Sequence, residues 1–115
     1  MSNFRYKQIV GGRILTPQGW LYGGSVIVEG TKIFAVETTQ LSIQDAERID
    51  VCGADIVPGG IDLHVHGGGG RDFMEGTREA FDVAVEAHLQ YGTTSIFPTL
   101  SSSTVPMIEA AMDTC

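Results

Sequence analysis

The chain has 115 residues, of which 43% are hydrophobic and 18% are charged, a composition typical of a folded domain rather than of a disordered segment. Fourteen acidic residues against seven basic ones give a formal net charge of −7, which argues against a nucleic-acid-binding face and against docking on anionic membranes. No apolar run reaches transmembrane length, and the N-terminus lacks the apolar core of a signal peptide. The two cysteines, Cys52 and Cys115, have no metal-binding or redox spacing, so we expect unpaired thiols in a cytoplasmic protein.

Residues 1–55 have the pattern of short strands separated by turns. The expected strands cover residues 6–10, 13–15, 25–28 and 32–36. Residues 38–55 are expected to connect the two units, with residues 48–51 as a candidate for a further short strand within that connection. The pair Gly11-Gly12 is typical of a tight hairpin between the first two strands. Short strands joined by glycine turns indicate a small β-sandwich or a β-meander, which we assign to residues 1–55 as a first domain.

The pattern changes in residues 56–115, where the expected order is strand, glycine-rich loop, helix, strand, helix. The first helix is predicted over residues 77–90, with Thr77 as its N-cap, and the second begins near Pro106. Strands that alternate with helices indicate a parallel α/β sheet. Two βα units complete no common parallel fold, and a (β/α)₈ TIM-type barrel needs about 250 residues. We therefore expect the first two βα units of such a barrel in an incomplete chain, with a small complete α+β domain as the alternative.

The candidate metal ligands are His64 and His66, two residues apart on the predicted strand. Side chains at such positions point to the same face of a strand, and the carboxyl end of a parallel strand is where barrel sites lie. Imidazole suits zinc, iron, nickel and cobalt. Asp62 lies on the same face and is a candidate to orient a ligand histidine or to lie near the metal.

Four consecutive glycines, residues 67–70, follow the two histidines. Because such a run costs backbone entropy, we expect it to let the backbone approach a ligand closely, with a flexible linker as the alternative. His88 is expected to be a packed, hydrogen-bonded histidine rather than a ligand. Asp72 and Glu75 are expected to be solvated loop acids, with a place at the pocket mouth as the alternative, and Thr99 either faces the site or packs structurally.

Several stretches of the sequence carry a family resemblance. Residues 58–67, PGGIDLHVHG, resemble the first-strand signature of the metal-dependent amidohydrolase superfamily, and residues 9–17 and 26–33 resemble the small β-domain that precedes the barrel in those enzymes. Within the superfamily, residues 66–72, HGGGGRD, followed by residues 91–100, YGTTSIFPTL, are most similar to the N-acetylglucosamine-6-phosphate deacetylases.

The resemblance implies hydrolysis of the acetamide of N-acetylglucosamine 6-phosphate to glucosamine 6-phosphate and acetate, in amino-sugar catabolism. It implies one or two divalent metals, zinc or iron, held in part by His64 and His66. The general base, the other ligands and the phosphate-binding residues are expected beyond residue 115, so this chain alone is expected to be inactive. The partners implied are a small amino-sugar phosphate and a second subunit of a homodimer.

Two other functions remain open from the sequence. A cyclic-amide hydrolase of the dihydropyrimidinase or dihydroorotase kind shares the same histidine signature, and a carboxylated lysine on a later strand favours that function. A non-catalytic scaffold with the same fold is the third, but a scaffold has no need of His64 and His66.

Overall fold

The computed structural model describes residues 3–115 and divides them into two compact units. The first unit ends at Pro58 and the second begins at Gly59. The first is built of strands, and the second contains a parallel strand pair with two α-helices.

The first unit is organised around one four-stranded sheet. Its strands are β1 (Tyr6–Val10), β4 (Ser25–Glu29), β5 (Lys32–Glu37) and β6 (Ala46–Asp50), in the order β5-β4-β1-β6. Strand β4 pairs antiparallel with both β1 and β5, whereas β6 pairs parallel with β1. The turn between β4 and β5 joins two of the predicted strands and contains Gly30, whose φ of 57° favours glycine. The remaining strands of this unit, β2 (Ile14–Thr16) and β3 (Gly19–Leu21), form a separate antiparallel hairpin.

The prediction of a hairpin at Gly11-Gly12 is wrong. Strand β1 has β4 and β6 as its partners, and the hairpin lies at the next turn, between β2 and β3. At Gly11 φ is +82°, and a Cβ there would collide with the Asp50 carboxylate; at Gly12 it would collide with the carbonyl of Ala54. These glycines therefore let the segment that follows β6 pass close to the end of β1.

A buried polar cluster attaches the segment after β5 to the sheet. Gln8 and Ser25 are both almost fully buried. The Gln8 side-chain amide donates to the carbonyl of Leu41 at 2.8 Å, and the Ser25 hydroxyl donates to the carbonyl of Thr39 at 2.8 Å. These bonds satisfy backbone groups that no strand partner reaches, so this polar segment packs on the sheet.

The second unit contains one strand–helix–strand unit and a further helix. Its elements are β7 (Gly60–Val65), β8 (Gly67–Gly68), β9 (Arg71–Asp72), a 3₁₀-helix (Phe73–Glu75), α1 (Arg78–Leu89), β10 (Thr93–Pro98) and α2 (Val105–Thr114). Strands β7 and β10 pair in parallel, with Ile96 opposite Asp62 and Pro98 opposite Val65. The predicted order of long strands and helices is confirmed, and β8, β9 and the 3₁₀-helix were not predicted.

The core of the second unit lies between α1 and the parallel strand pair. The rings of Phe73 and Phe81 pack with their centroids 4.7 Å apart, and Val65 and Ile96 contact the same cluster. Helix α1 begins where predicted, because the Thr77 hydroxyl accepts the backbone N–H of Ala80 at 3.2 Å. This packing anchors β7 at Val65, next to both candidate ligands.

The mixed α/β class expected from the sequence is confirmed by these elements. A β-sandwich is not confirmed, since the described strands of the first unit form one four-stranded sheet and one hairpin. Neither helix within residues 3–115 has the length and apolar character needed to span a membrane.

Candidate metal centre

The two candidate ligands converge at the carboxyl end of β7. The Nε2 atoms of His64 and His66 lie 3.2 Å apart. Their rings are inclined at 68°, with centroids 5.2 Å apart, and both side chains are exposed. The two nitrogens thus face the same point in space, as the alternation of strand side chains predicts.

This spacing suits two ligands of one divalent cation. With zinc–nitrogen distances of about 2.0–2.1 Å and tetrahedral angles, two ligand nitrogens lie about 3.3–3.4 Å apart, close to the spacing observed. The same spacing also suits a direct N–H···N hydrogen bond when no cation is bound. The pair therefore has the chemistry and the geometry of half a metal site.

The rest of such a site is not found in this part of the chain. Across residues 3–115, no cluster of three or more His, Cys, Asp or Glu side chains is placed to hold a metal ion. Zinc sites use three or four protein ligands. His64 and His66 can therefore hold a cation only with ligands from outside the described residues.

Asp62 supports the backbone of the site rather than a ring nitrogen. Its Oδ1 accepts the backbone N–H of His64 at 3.1 Å, and the side chain is half-buried. The sequence suggested that Asp62 orients a ligand histidine or lies near the metal, and the observed bond orients His64 through its main chain.

Thr99 holds the backbone of Val65, the residue between the two histidines. The Thr99 N–H donates to the carbonyl of Val65 at 2.8 Å, and the Val65 N–H donates to the Thr99 hydroxyl at 3.1 Å. The hydroxyl replaces a backbone acceptor at a point where the register of β10 on β7 shifts, between Ile96 and Pro98. Of the two alternatives for Thr99, the structure shows the structural one.

The glycine run serves packing within the second unit. Gly69 and Gly70, with φ of 60° and 81°, form the turn of the β8–β9 hairpin, as primed hairpin turns require. A Cβ on Gly68 would lie 2.8 Å from Nε2 of His88 and 3.1 Å from the carbonyl oxygen of Ala84, both on α1. The close approach expected toward a ligand is therefore an approach of this hairpin to α1.

His88 joins the same hairpin to α1. Its Nε2 lies 2.8 Å from the carbonyl oxygen of Gly67, so the ring N–H donates to that oxygen, and the side chain is half-buried. This confirms the expectation of a packed, hydrogen-bonded histidine.

The acidic residues after the glycines cap the 3₁₀-helix. Asp72 accepts the N–H of Met74 at 2.7 Å, while the Asp72 N–H donates to Glu75 at 2.8 Å, which is a capping box. Arg71 pairs with Glu75 at 3.0 Å. Hydrogen bonds from Arg71 and from the Asp72 N–H lower the pKa of Glu75 below its ordinary value. Both acids therefore have local structural partners.

Sequence reasoning missed Ser101. Its hydroxyl oxygen lies 3.2 Å from Nδ1 of His66, although the two residues are 35 positions apart. In the sequence, residues 101–104 only precede the predicted second helix. The available signal was that Ser101 follows β10, whose carboxyl end is expected beside that of β7 in a parallel pair.

The known proteins that are similar to this chain include amino-sugar phosphate deacetylases. No protein-family model matches the chain. An N-acetylgalactosamine-6-phosphate deacetylase from Escherichia coli O157:H7 is 30% identical over 87% of this chain, and the human N-acetylglucosamine-6-phosphate deacetylase is 36% identical over 81%. The crystal structure of N-acetylglucosamine-6-phosphate deacetylase from Pasteurella multocida matches 95% of this chain with a TM-score of 0.87 and 30% identity.

The chain spans only part of these proteins. It covers 25% of the E. coli protein, 22% of the human protein and 29% of the P. multocida chain. Within those limits, sequence and backbone confirm the resemblance to the amidohydrolase superfamily, and to its N-acetylglucosamine-6-phosphate deacetylases in particular.

Proposed function

We propose that this chain belongs to a metal-dependent hydrolase that removes the acetyl group from N-acetylglucosamine 6-phosphate, giving glucosamine 6-phosphate and acetate. The single observation that carries the proposal is the 3.2 Å approach of the Nε2 atoms of His64 and His66 at the end of a parallel strand. The similarity to deacetylases in sequence and backbone supports the substrate class.

The proposal includes a fold and a set of partners for the complete protein. The parallel pair β7–β10, with its helices, represents the start of a (β/α)₈ barrel in residues 56–115, and residues 1–55 belong to the β-domain before it. The partners are one or two divalent cations, zinc or iron, and a second identical subunit. A cytoplasmic location agrees with the two free, exposed thiols of Cys52 and Cys115.

In this proposal the described residues bind the cation and orient the two histidines that hold it. A divalent cation, when bound, polarises the acetamide carbonyl and lowers the pKa of a water molecule. His64 and His66 donate their Nε2 lone pairs to hold that cation. Asp62 holds the backbone N–H of His64, and Thr99 holds the backbone N–H and carbonyl of Val65, so that both rings keep the separation observed. The general base and the remaining ligands are supplied by residues outside this chain.

N-acetylgalactosamine 6-phosphate is a second candidate substrate, since the E. coli relative is named for it. The two sugars differ only in the configuration of one hydroxyl group. None of the contacts described above distinguishes between them, and the cyclic amides remain the alternative predicted from the sequence.

The test is acetate release by the complete protein, supplied with zinc or iron, from each N-acetylhexosamine 6-phosphate, with dihydroorotate as the cyclic-amide control. We expect acetate from N-acetylglucosamine 6-phosphate at the highest kcat/KM. Absence of acetate with every metal, or ring opening of dihydroorotate instead, would contradict the proposal.

The ligand assignment has a matched control in the third histidine of the chain. His64→Ala and His66→Ala are each expected to lower the metal content per chain and to lower kcat/KM by more than the ~10–100-fold typical of residues that only support a ligand. His88→Ala removes a histidine that bonds Gly67 and is expected to leave metal content unchanged. Equal metal content in all three variants would contradict the assignment.

A further inference from the structure

The two histidines of the candidate metal centre differ in how their second ring nitrogens are held. Nδ1 of His66 lies 3.2 Å from the hydroxyl oxygen of Ser101. For His64, the ring contact found among residues 3–115 is the one between the two Nε2 atoms, and no partner is present at its Nδ1. The His66 ring is therefore held at both nitrogens, whereas the His64 ring is held at Nε2 alone.

The chemistry of imidazole gives this difference a consequence. A neutral ring carries one N–H and one lone pair, and the hydrogen bond at one nitrogen decides which form the ring takes. To bind a cation through Nε2, His66 must carry its hydrogen on Nδ1. A hydroxyl oxygen at hydrogen-bond distance from Nδ1 is an acceptor for that hydrogen.

We propose that Ser101 is a positioning residue for His66, accepting its Nδ1–H and thereby directing the Nε2 lone pair toward the cation. The inference rests on the proposed function, since it presumes a cation between His64 and His66. The hydroxyl hydrogen of the exposed Ser101 then points to solvent. Hydrogen bonds of this kind to a ligand histidine fix its tautomer and strengthen its binding to the metal.

The position of Ser101 explains how two distant segments build one site. His66 follows β7 and Ser101 follows β10, and these strands are the parallel pair of the second unit. Thr99 lies two residues before Ser101 and forms hydrogen bonds with both the backbone N–H and the backbone carbonyl of Val65. These two hydrogen bonds between Thr99 and Val65 therefore fix the distance between the Ser101 hydroxyl and the His66 ring.

The serine run offers a matched set of variants. Ser101→Ala removes the hydroxyl, Ser101→Thr retains it, and Ser102→Ala makes the same change one residue away, at an exposed serine without a hydrogen bond in the described part of the chain. In the complete protein, zinc affinity is measured by competition with a chromophoric chelator. We expect Ser101→Ala to weaken zinc binding about 10–100-fold, Ser102→Ala to leave it unchanged, and Ser101→Thr to recover most of it.

A second measurement does not depend on metal or on activity. Long-range ¹H–¹⁵N correlation spectra of metal-free protein labelled with ¹⁵N-histidine distinguish the two tautomers of each ring. At mildly alkaline pH we expect His66 as the Nδ1–H form in the wild type and in Ser102→Ala. In Ser101→Ala we expect a mixture of the two tautomers.

The outcomes separate this inference from the proposed function. If no acetate is released but Ser101→Ala still weakens zinc binding and changes the His66 tautomer, the proposed substrate is wrong and the role of Ser101 stands. Zinc affinity equal in Ser101→Ala and Ser102→Ala would overturn the inference, as would wild-type His66 in the Nε2–H form. A wild-type protein that binds no zinc or iron would overturn both.

Discussion

Replacing Thr99 by valine tests the hydrogen bonds that hold Val65, the residue between the two histidines. The change removes one hydroxyl and keeps the branched shape of the side chain. The hydroxyl accepts the Val65 N–H at 3.1 Å and donates to the Phe97 carbonyl at 3.3 Å. In Thr99→Val the Val65 N–H loses its acceptor, while the bond from the Thr99 N–H to the Val65 carbonyl remains.

The expected change in the free energy of unfolding follows from the burial of these groups. A hydrogen bond contributes about 0.5–1.5 kcal/mol net, and a buried donor left without an acceptor costs about 1–3 kcal/mol. Both Thr99 and Val65 are half-buried, so water replaces the acceptor only in part. We therefore expect Thr99→Val to lower the free energy of unfolding by about 1–2 kcal/mol. We also expect weaker zinc binding, because Val65 lies between the two ligands.

The control is Thr94→Val, the same chemical change within β10, whose last residue directly precedes Thr99. The Thr94 hydroxyl is exposed and reaches the carbonyl of Gly60 only at 3.5 Å, so we expect a change within about 0.5 kcal/mol. The assay is urea unfolding followed by circular dichroism, comparing midpoints at unchanged slope. Equal midpoints for Thr99→Val and Thr94→Val would refute the reasoning, since the Thr99 hydroxyl would then add no more to stability than the exposed Thr94 hydroxyl.

Two further predictions concern the elements around the site. Thr77→Ala removes the acceptor of the Ala80 N–H at the start of α1 and should lower the free energy of unfolding by about 1 kcal/mol, with Thr77→Ser restoring most of it, as measured in urea. Because Arg71 lowers the pKa of Glu75 below its ordinary value of 4.5, the stability from this pair is present above pH 4.5 and is lost as the pH falls through the folded-state pKa. Glu75→Gln should therefore make stability less dependent on pH below 4.5, and an unchanged acid profile would contradict this.

Local patterns were enough to predict several elements and the ligand pair. Alternation along one strand places His64 and His66 on a common face whatever the rest of the fold does, because the side-chain period of a strand is two. The start of α1 follows from a cap within one turn of Thr77. The strand pair around Gly30 needs only a turn and two adjacent β-rich segments. In each case the deciding interactions join residues that are close along the chain.

Other features depend on residues far apart along the chain, and these only the tertiary structure decided. Gly11-Gly12 looks like a hairpin turn, but the approach of Asp50 and the pairing of distant strands overrule that local preference. The partner that fixes the His66 ring, Ser101, is set by the pairing of β7 with β10. A local pattern carries no information about which distant group will reach a given side chain, because that depends on how the strands and helices pack together.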